Sequence, residues 1–294
     1  MQSPMQPDQF EVIRSQFAGA NGVFDQHNLV FKEISERMLA RLDMLAIEPS
    51  RVLDLGCRNG YQMEALQKRF PNAYVVGSDP VGSTLTSSKR WWLRRRAVTP
   101  TIVPADPHRL PFADGSFDLL VSNMLLPWCH DPAAVFAEAA RVLADNGAFM
   151  FTAAGPDTLQ EYADLWCKID EKQHVFGLAD MHKTGDEMLH AGFAAPVLDR
   201  ENIVVDYASV GALEDELRQI GAGNVAIGRR AGLMSRSVRN SVSEAARVGR
   251  FSVTLELVQG HGWKGALSSN RNNSSDEFSV SLDSLRQSLR DSGK

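Results

Sequence analysis

V-L-D-L-G-C-R-N-G, residues Val52–Gly60, is the stretch on which the fold of this chain turns. Val52, Leu53 and Leu55 make a short apolar run interrupted by Asp54, and Gly56 ends it. A helical pattern follows over Tyr61–Phe70, with Met63, Leu66 and Phe70 at spacings of three and four. Strand, glycine turn and helix open a doubly wound α/β sheet, whose first crossover turn carries the ligand. A second apolar run, Tyr74–Gly77, leads into Ser78 and Asp79. An acid at the tip of the second strand is placed to accept hydrogen bonds from both hydroxyls of a ribose. The pattern implies a nucleoside-containing cofactor.

Glycine spacing narrows the cofactor. A dinucleotide fold wants G-x-G-x-x-G, so that backbone can approach a pyrophosphate at a helix N-terminus. Here the turn is Asp54-x-Gly56-x-Arg58-x-Gly60, which resembles motif I of the class I S-adenosylmethionine methyltransferases, usually D-x-G-x-G-x-G. That resemblance implies S-adenosylmethionine as cofactor. Arg58 stands where the middle glycine is expected, so its side chain either points away from the ligand or pairs with the cofactor's carboxylate. The competing reading is a degenerate fold that has lost the cofactor.

Composition limits the answer further. At 294 residues the chain suits one large domain or one domain with an elaboration. A net charge of −5 gives no electrostatic reason to expect nucleic acid. Cys57, Cys129 and Cys167 lie far apart with no C-x-x-C pair, which argues against a disulfide framework or a zinc site and for a reducing cytoplasm. The start, M-Q-S-P-M-Q-P-D-Q-F, lacks the basic and apolar parts of a signal peptide. No apolar run approaches the roughly 20 residues that span a bilayer. A soluble, cytoplasmic protein without a membrane or nucleic-acid partner is expected.

Residues 1–9 read as a disordered terminus, and the segment from Phe10 to Phe24 and then Val30–Leu45 read as helices. Two helices ahead of the first strand serve either as a lid over the cofactor or as packing for the sheet edge. Pro80–Ala97 contains S-S-K-R-W-W-L-R-R-R, read as a solvated helix face or as a surface for an acidic partner. Thr101–Ala105 is a third strand, followed by Asp106, and Phe117–Val121 a fourth, ending at Ser122-Asn123-Met124. Asp131-Pro132 caps a helix over Ala133–Leu143, and Ala148–Ala153 is the fifth strand. Beyond Gly155, helices are expected at Pro156–Lys172, Thr184–Ala191 and Ala212–Ile220, and extended segments at Val197–Tyr207 and Phe251–Gln259. Residues 266–294 are polar and serine-rich, a flexible tail. The methyltransferase domain then covers 10–265, with N-terminal helices 10–45, a cofactor core 46–155, and a cover with edge strands 156–265.

Several strings outside the core resemble the malonyl-acyl-carrier-protein O-methyltransferases of biotin synthesis. They are D-Q-H-N-L-V-F-K-E-I-S-E-R-M-L-A-R-L (Asp25–Leu42), S-N-M-L-L-P-W-C-H-D-P (Ser122–Pro132), G-P-D-T-L-Q-E (Gly155–Glu161), D-M-H-x-x-G-D (Asp180–Asp186), A-G-F-A-A-P-V-L-D (Ala191–Asp199), L-R-Q-I-G-A-G-N (Leu217–Asn224) and G-H-G-W-K (Gly260–Lys264). Some are also similar to the mitochondrial complex I assembly factor that hydroxylates an arginine on a methyltransferase-like fold. Phe24 stands before Asp25 where the biotin enzymes commonly carry tyrosine.

This resemblance implies a class I methyltransferase fold: a mostly parallel Rossmann-like sheet, an antiparallel edge hairpin, a helical cover and N-terminal helices. It implies cofactor contacts from Asp54, Gly56, Arg58, Gly60, Asp79, Asp106 and Asn123, with Asp106 placed for the exocyclic amine of adenine. The implied substrate is malonyl-acyl carrier protein or malonyl-coenzyme A. A malonyl carboxylate is already ionised at neutral pH, so no general base is required and none is assigned. Arg218, Arg229 and Arg230 are candidates to hold that carboxylate. His174, His182 and His261 lack metal spacing and are expected to pack or cap loops, and no metal is expected. Alternatives are an assembly factor acting on a partner protein and a methyltransferase for another small acid. The acyl group, its carrier and the oligomeric state stay open.

Overall fold

Strand β1 (Arg51–Leu55) lies in the interior of a seven-stranded sheet and is buried on both faces. The structure, a computed structural model, describes residues 7–20, 22–81, 101–226, 228–229, 236–245 and 250–265. Because side chains alternate across a strand, Val52 joins one apolar cluster and Leu53 and Leu55 another. The first cluster includes Met38 of helix α3 (Leu29–Arg41) and Met63 and Leu66 of α4 (Tyr61–Arg69). The second includes Phe136 of α5 (Pro132–Val142) and Met188 of α7 (Met181–His190). A sheet covered on both faces needs the near-continuous apolar strands seen here.

The remaining strands are β2 (Tyr74–Asp79), β3 (Thr101–Pro104), β4 (Phe117–Asn123), β5 (Leu143–Ala154), β6 (Phe193–Tyr207) and β7 (Phe251–Lys264). Their order is β3-β2-β1-β4-β5-β7-β6. The pairings among β1–β5 are parallel, whereas β7 runs antiparallel to both β5 and β6. The chain therefore leaves β1 toward β2 and β3, then returns to lay β4 on its other side. That reversal opens the crevice in which such sheets bind ligands. The doubly wound sheet with an antiparallel edge is the fold the sequence implied.

Helix α1 spans Pro7–Ala20, so residues 7–9 of the expected disordered terminus are helical, and a separate turn, α2 (Phe24–His27), follows it. α6 (Gln160–Cys167) is shorter than expected, because the Gly155–Leu159 segment is held as a turn against β7. Asp157 N donates to the buried Glu256 carboxylate at 2.7 Å, and Leu159 N donates to Thr254 O at 2.8 Å. α7 begins at Met181 because the Asp180 side chain accepts from Lys183 N at 2.9 Å. α8 (Val210–Gln219) is likewise capped by Ser209, and α9 (Arg236–Ala245) packs with α6 and α8 in a third apolar cluster over the ends of β6 and β7. The expected basic helix past Val81 and the tail from residue 266 lie outside the described residues. Among those described, no helix is long and apolar enough to cross a membrane.

Candidate cofactor site

The turn after β1 is built from left-handed backbone. Gly56 has φ 80° and Gly60 has φ 77°, conformations that favour glycine. Gly56 N and Cys57 N both donate to Ser78 O, at 2.7 and 3.1 Å, which ties the turn to the end of β2. A Cβ on Gly56 would fall 2.9 Å from Leu125 Cβ, so the close approach of the post-β4 loop also demands glycine there. Arg58 adopts φ 51° without being a glycine.

Asp79, at the tip of β2, is buried and accepts from Arg58 N at 2.9 Å and from Val81 N at 2.8 Å. Burial pushes its carboxyl up, against the Val81 N–H, the Arg58 charge and the Arg58 N–H. Each oxygen keeps a lone pair for a further donor. Asp54 is buried too. Its Oδ1 accepts from Gln62 Nε2 at 3.0 Å, and Ser35 Oγ donates to Gln62 Oε1 at 2.8 Å. Among the described residues, Asp54 Oδ2 has no hydrogen-bond partner. Desolvation, reinforced by the Asp79 charge and opposed by Gln62, pushes the Asp54 carboxyl up to about 8.

Asn123 ends β4 as a node between layers. Its Nδ2 donates to Phe31 O at 2.9 Å and to Tyr61 Oη at 2.5 Å, and its Oδ1 accepts from Thr152 Oγ1 at 2.7 Å. Burial, with Asp54 adding, pushes the Tyr61 phenol up. Asp106 follows β3 on the same edge of the sheet, but its Oδ1 is turned to His108, accepting from the backbone N at 2.9 Å and facing ring Nδ1 at 2.6 Å. Burial opposes charge on Asp106, yet the two His108 contacts hold its carboxyl below the usual range. The structure thus gathers Asp54, Gly56, Arg58, Gly60, Asp79 and Asn123 around one turn and sets Asp106 in a neighbouring cluster with His108 and His130.

Above the turn lies a lid of apolar side chains. Phe17 of α1, Phe24 of α2, Phe31 of α3, Trp128 and Ile220 face Gly56, Arg58, Tyr61, Asp79 and Asn123 across a cavity of about 30 Å³. The Arg58 guanidinium lies neither outward nor toward solvent: its carbon sits 4.3 Å from the Phe17 ring centroid and 4.3 Å from that of Phe24. Its Nη2 donates to Ile220 O at 3.1 Å.

The set of acceptors fits a nucleoside cofactor bearing an ammonium group. Asp54 Oδ2 is a buried carboxyl oxygen that the charge of an ammonium would favour ionised, Asp79 offers two oxygens at the strand tip, and Gly56 lets backbone approach closely. Space is the difficulty, since about 30 Å³ holds roughly one water while ligand pockets span about 300–1,000 Å³.

Leu125 and Trp128 line the cleft, within the Leu125–His130 stretch expected from the sequence at its mouth, whereas Tyr61, Gln62, Phe17 and Ile220 were not legible as site residues from spacing. The only local signal is that Tyr61 and Gln62 directly follow Gly60. Of the arginines proposed for the substrate carboxylate, Arg218 is exposed and paired with Asp215 at 2.6 Å, Arg229 is exposed, and Arg230 lies outside the described residues. His174 stacks on Trp166 at 3.7 Å and bonds Asp170, while His261 is half-buried on β7. Among the described residues, no group of three or more His, Cys, Asp or Glu converges to hold a metal.

The methyltransferase-domain family matches residues 53–151. The malonyl-acyl-carrier-protein O-methyltransferase of Laribacter hongkongensis is 39% identical over 264 residues, 86% of this chain and 89% of its own length. The enzyme of that name from Gallionella capsiferriformans is 36% identical over 269 residues, 89% of this chain and 93% of its own length. Among solved structures, the YcgJ protein of Bacillus subtilis is similar with a TM-score of 0.55 at 16% identity, covering 78% of this chain and 98% of that one, a likeness of fold.

Proposed function

The chain belongs to the malonyl-acyl-carrier-protein O-methyltransferase family, and on that premise we propose that it methylates the free carboxylate of a malonyl thioester on an acyl carrier protein. The cofactor is S-adenosylmethionine, which supplies an electrophilic methyl group on a sulfonium. One observation carries the reading: identity of 39% extends through the helical cover, far beyond the 53–151 core that methyltransferases share. The relatives that match are named as methyltransferases, and the assembly-factor reading is not favoured.

The chain's residues do the work of binding, orientation and water exclusion. Asp79 accepts from the ribose hydroxyls, and Asp54, braced by Gln62 and Ser35, receives the ammonium end. Phe17, Phe24, Phe31 and Trp128 wall the cleft with apolar surface, so a carboxylate brought there loses its hydration shell. An ionised carboxylate needs no proton removed, so no general base is assigned. Esterification removes a charge and lets the acyl group be elongated as an ordinary chain, the biotin-precursor role that the resemblance implies. Three unpaired cysteines, Cys57, Cys129 and Cys167, suit a cytoplasmic setting.

The test is incubation with methyl-labelled S-adenosylmethionine and either malonyl- or acetyl-acyl carrier protein. Label should appear on the malonyl carrier alone and be released by mild base, as a methyl ester is. Base-stable label, or equal labelling of both carriers, would contradict the assignment.

A further inference from the structure

Arg58 occupies a position that its backbone would rather give to glycine, and its side chain explains what is gained. A guanidinium is planar, weakly hydrated and permanently charged, so it can lie between two aromatic faces where an ammonium would not fit as well. Here the two faces come from different elements, Phe17 of α1 and Phe24 of α2, each with its centroid 4.3 Å away. The hydrogen bond to Ile220 O adds a third element, because Ile220 is the C-cap of α8. At a helix C-terminus the carbonyls carry the negative end of the macrodipole, which favours a cation. One side chain rooted in the ligand-binding turn thus clasps three of the elements that form the cover.

α1 also divides space. Phe17 lines the cavity of about 30 Å³, while Glu11, Arg14, Ser15 and Ala18 line a hollow of about 590 Å³, and Pro80 borders both. Phe17, on which the guanidinium stacks, is the residue of α1 that closes the smaller space.

We propose that Arg58 is a latch: its guanidinium holds α1, α2 and the end of α8 shut over the cleft, and cofactor entry requires its release. Arg58 is a positioning residue in this role, acting on access through the cover. The proposal rests on the reading of the cleft as the S-adenosylmethionine site, but its first test does not.

Hydrogen exchange of the cofactor-free full chain compares wild type with Arg58→Gly, which suits φ 51°, and with Phe17→Leu, which keeps apolar volume but removes one ring face. Amides of residues 10–27 should exchange about tenfold faster relative to those of β1 and β4 in both variants, a measure of local opening. In stopped-flow mixing, S-adenosylhomocysteine should also associate several-fold faster with both variants. Unchanged exchange of residues 10–27 relative to the strands would overturn the latch, as would faster exchange without faster association. If the nucleoside binds none of the three proteins, the cofactor reading fails, while the exchange result still judges the clasp.

Discussion

Asp79 accepts two backbone N–H bonds before any ligand arrives, so replacing it has two separable consequences. Asp79→Ala removes charge-assisted acceptors worth about 1.5–3 kcal/mol each, and calorimetry should show S-adenosylmethionine binding weakened by about tenfold or more. Equal affinity would remove Asp79 from the site. Asp54 makes a prediction about pH. Its carboxyl rises from 3.8 to about 8 in the fold, chiefly through desolvation. Between those values the native state keeps a proton that the unfolded chain has lost. Stability therefore falls as pH rises through this window, by up to about 1.4 kcal/mol per unit. Denaturant titrations at pH 5.5 and 8 should show that loss in wild type and much less of it in Asp54→Asn, which can still accept from Gln62. An identical slope in the variant would place the titration elsewhere. At this scale the sequence marks Arg58 as an anomaly but hides its purpose, since its hydrogen-bond partner Ile220 lies 162 residues away.

Elements were most legible where periodicity is local. β1, β2 and β4 follow from short apolar runs, and α5 begins where Asp131 caps it, whereas α7 and α8 begin three and two residues ahead of the expected Thr184 and Ala212, at the caps Asp180 and Ser209. The start of α6 was read too early because what delays it is distant: Glu256 of β7 binds the turn after Gly155, a contact between residues 99 positions apart. The edge strands were read too short because their length is set by pairing with each other, from Phe193 opposite Lys264 to Tyr207 opposite Phe251. The turn after β1 carries the sharpest prediction for an element. Gly56→Ala would force a Cβ into left-handed backbone and to within 2.9 Å of Leu125 Cβ. The denaturation midpoint should fall by the equivalent of more than about 1 kcal/mol. A variant as stable as wild type would show that the turn and the loop after β4 are not packed as described.

For the whole molecule, the partner is the open question that charge can address. An acyl carrier protein is acidic, whereas this chain has a net charge of −5, so any attraction must be local. Lys89–Arg96 is the densest basic run and lies outside the described residues. Replacing Arg94, Arg95 and Arg96 with glutamate should raise KM for malonyl-acyl carrier protein several-fold more than for malonyl-coenzyme A. The difference should shrink as salt brings the Debye length below about 10 Å. Equal effects on both substrates would make the run a solvated surface. The most direct measurement of the whole account is a crystal structure grown with S-adenosylhomocysteine. It should show the ribose on Asp79, the amino-acid end beside Asp54, α1 and α2 displaced, and the Arg58 guanidinium gone from between Phe17 and Phe24. A nucleoside bound elsewhere, or a cleft still closed around Arg58 with ligand in the crystal, would contradict it.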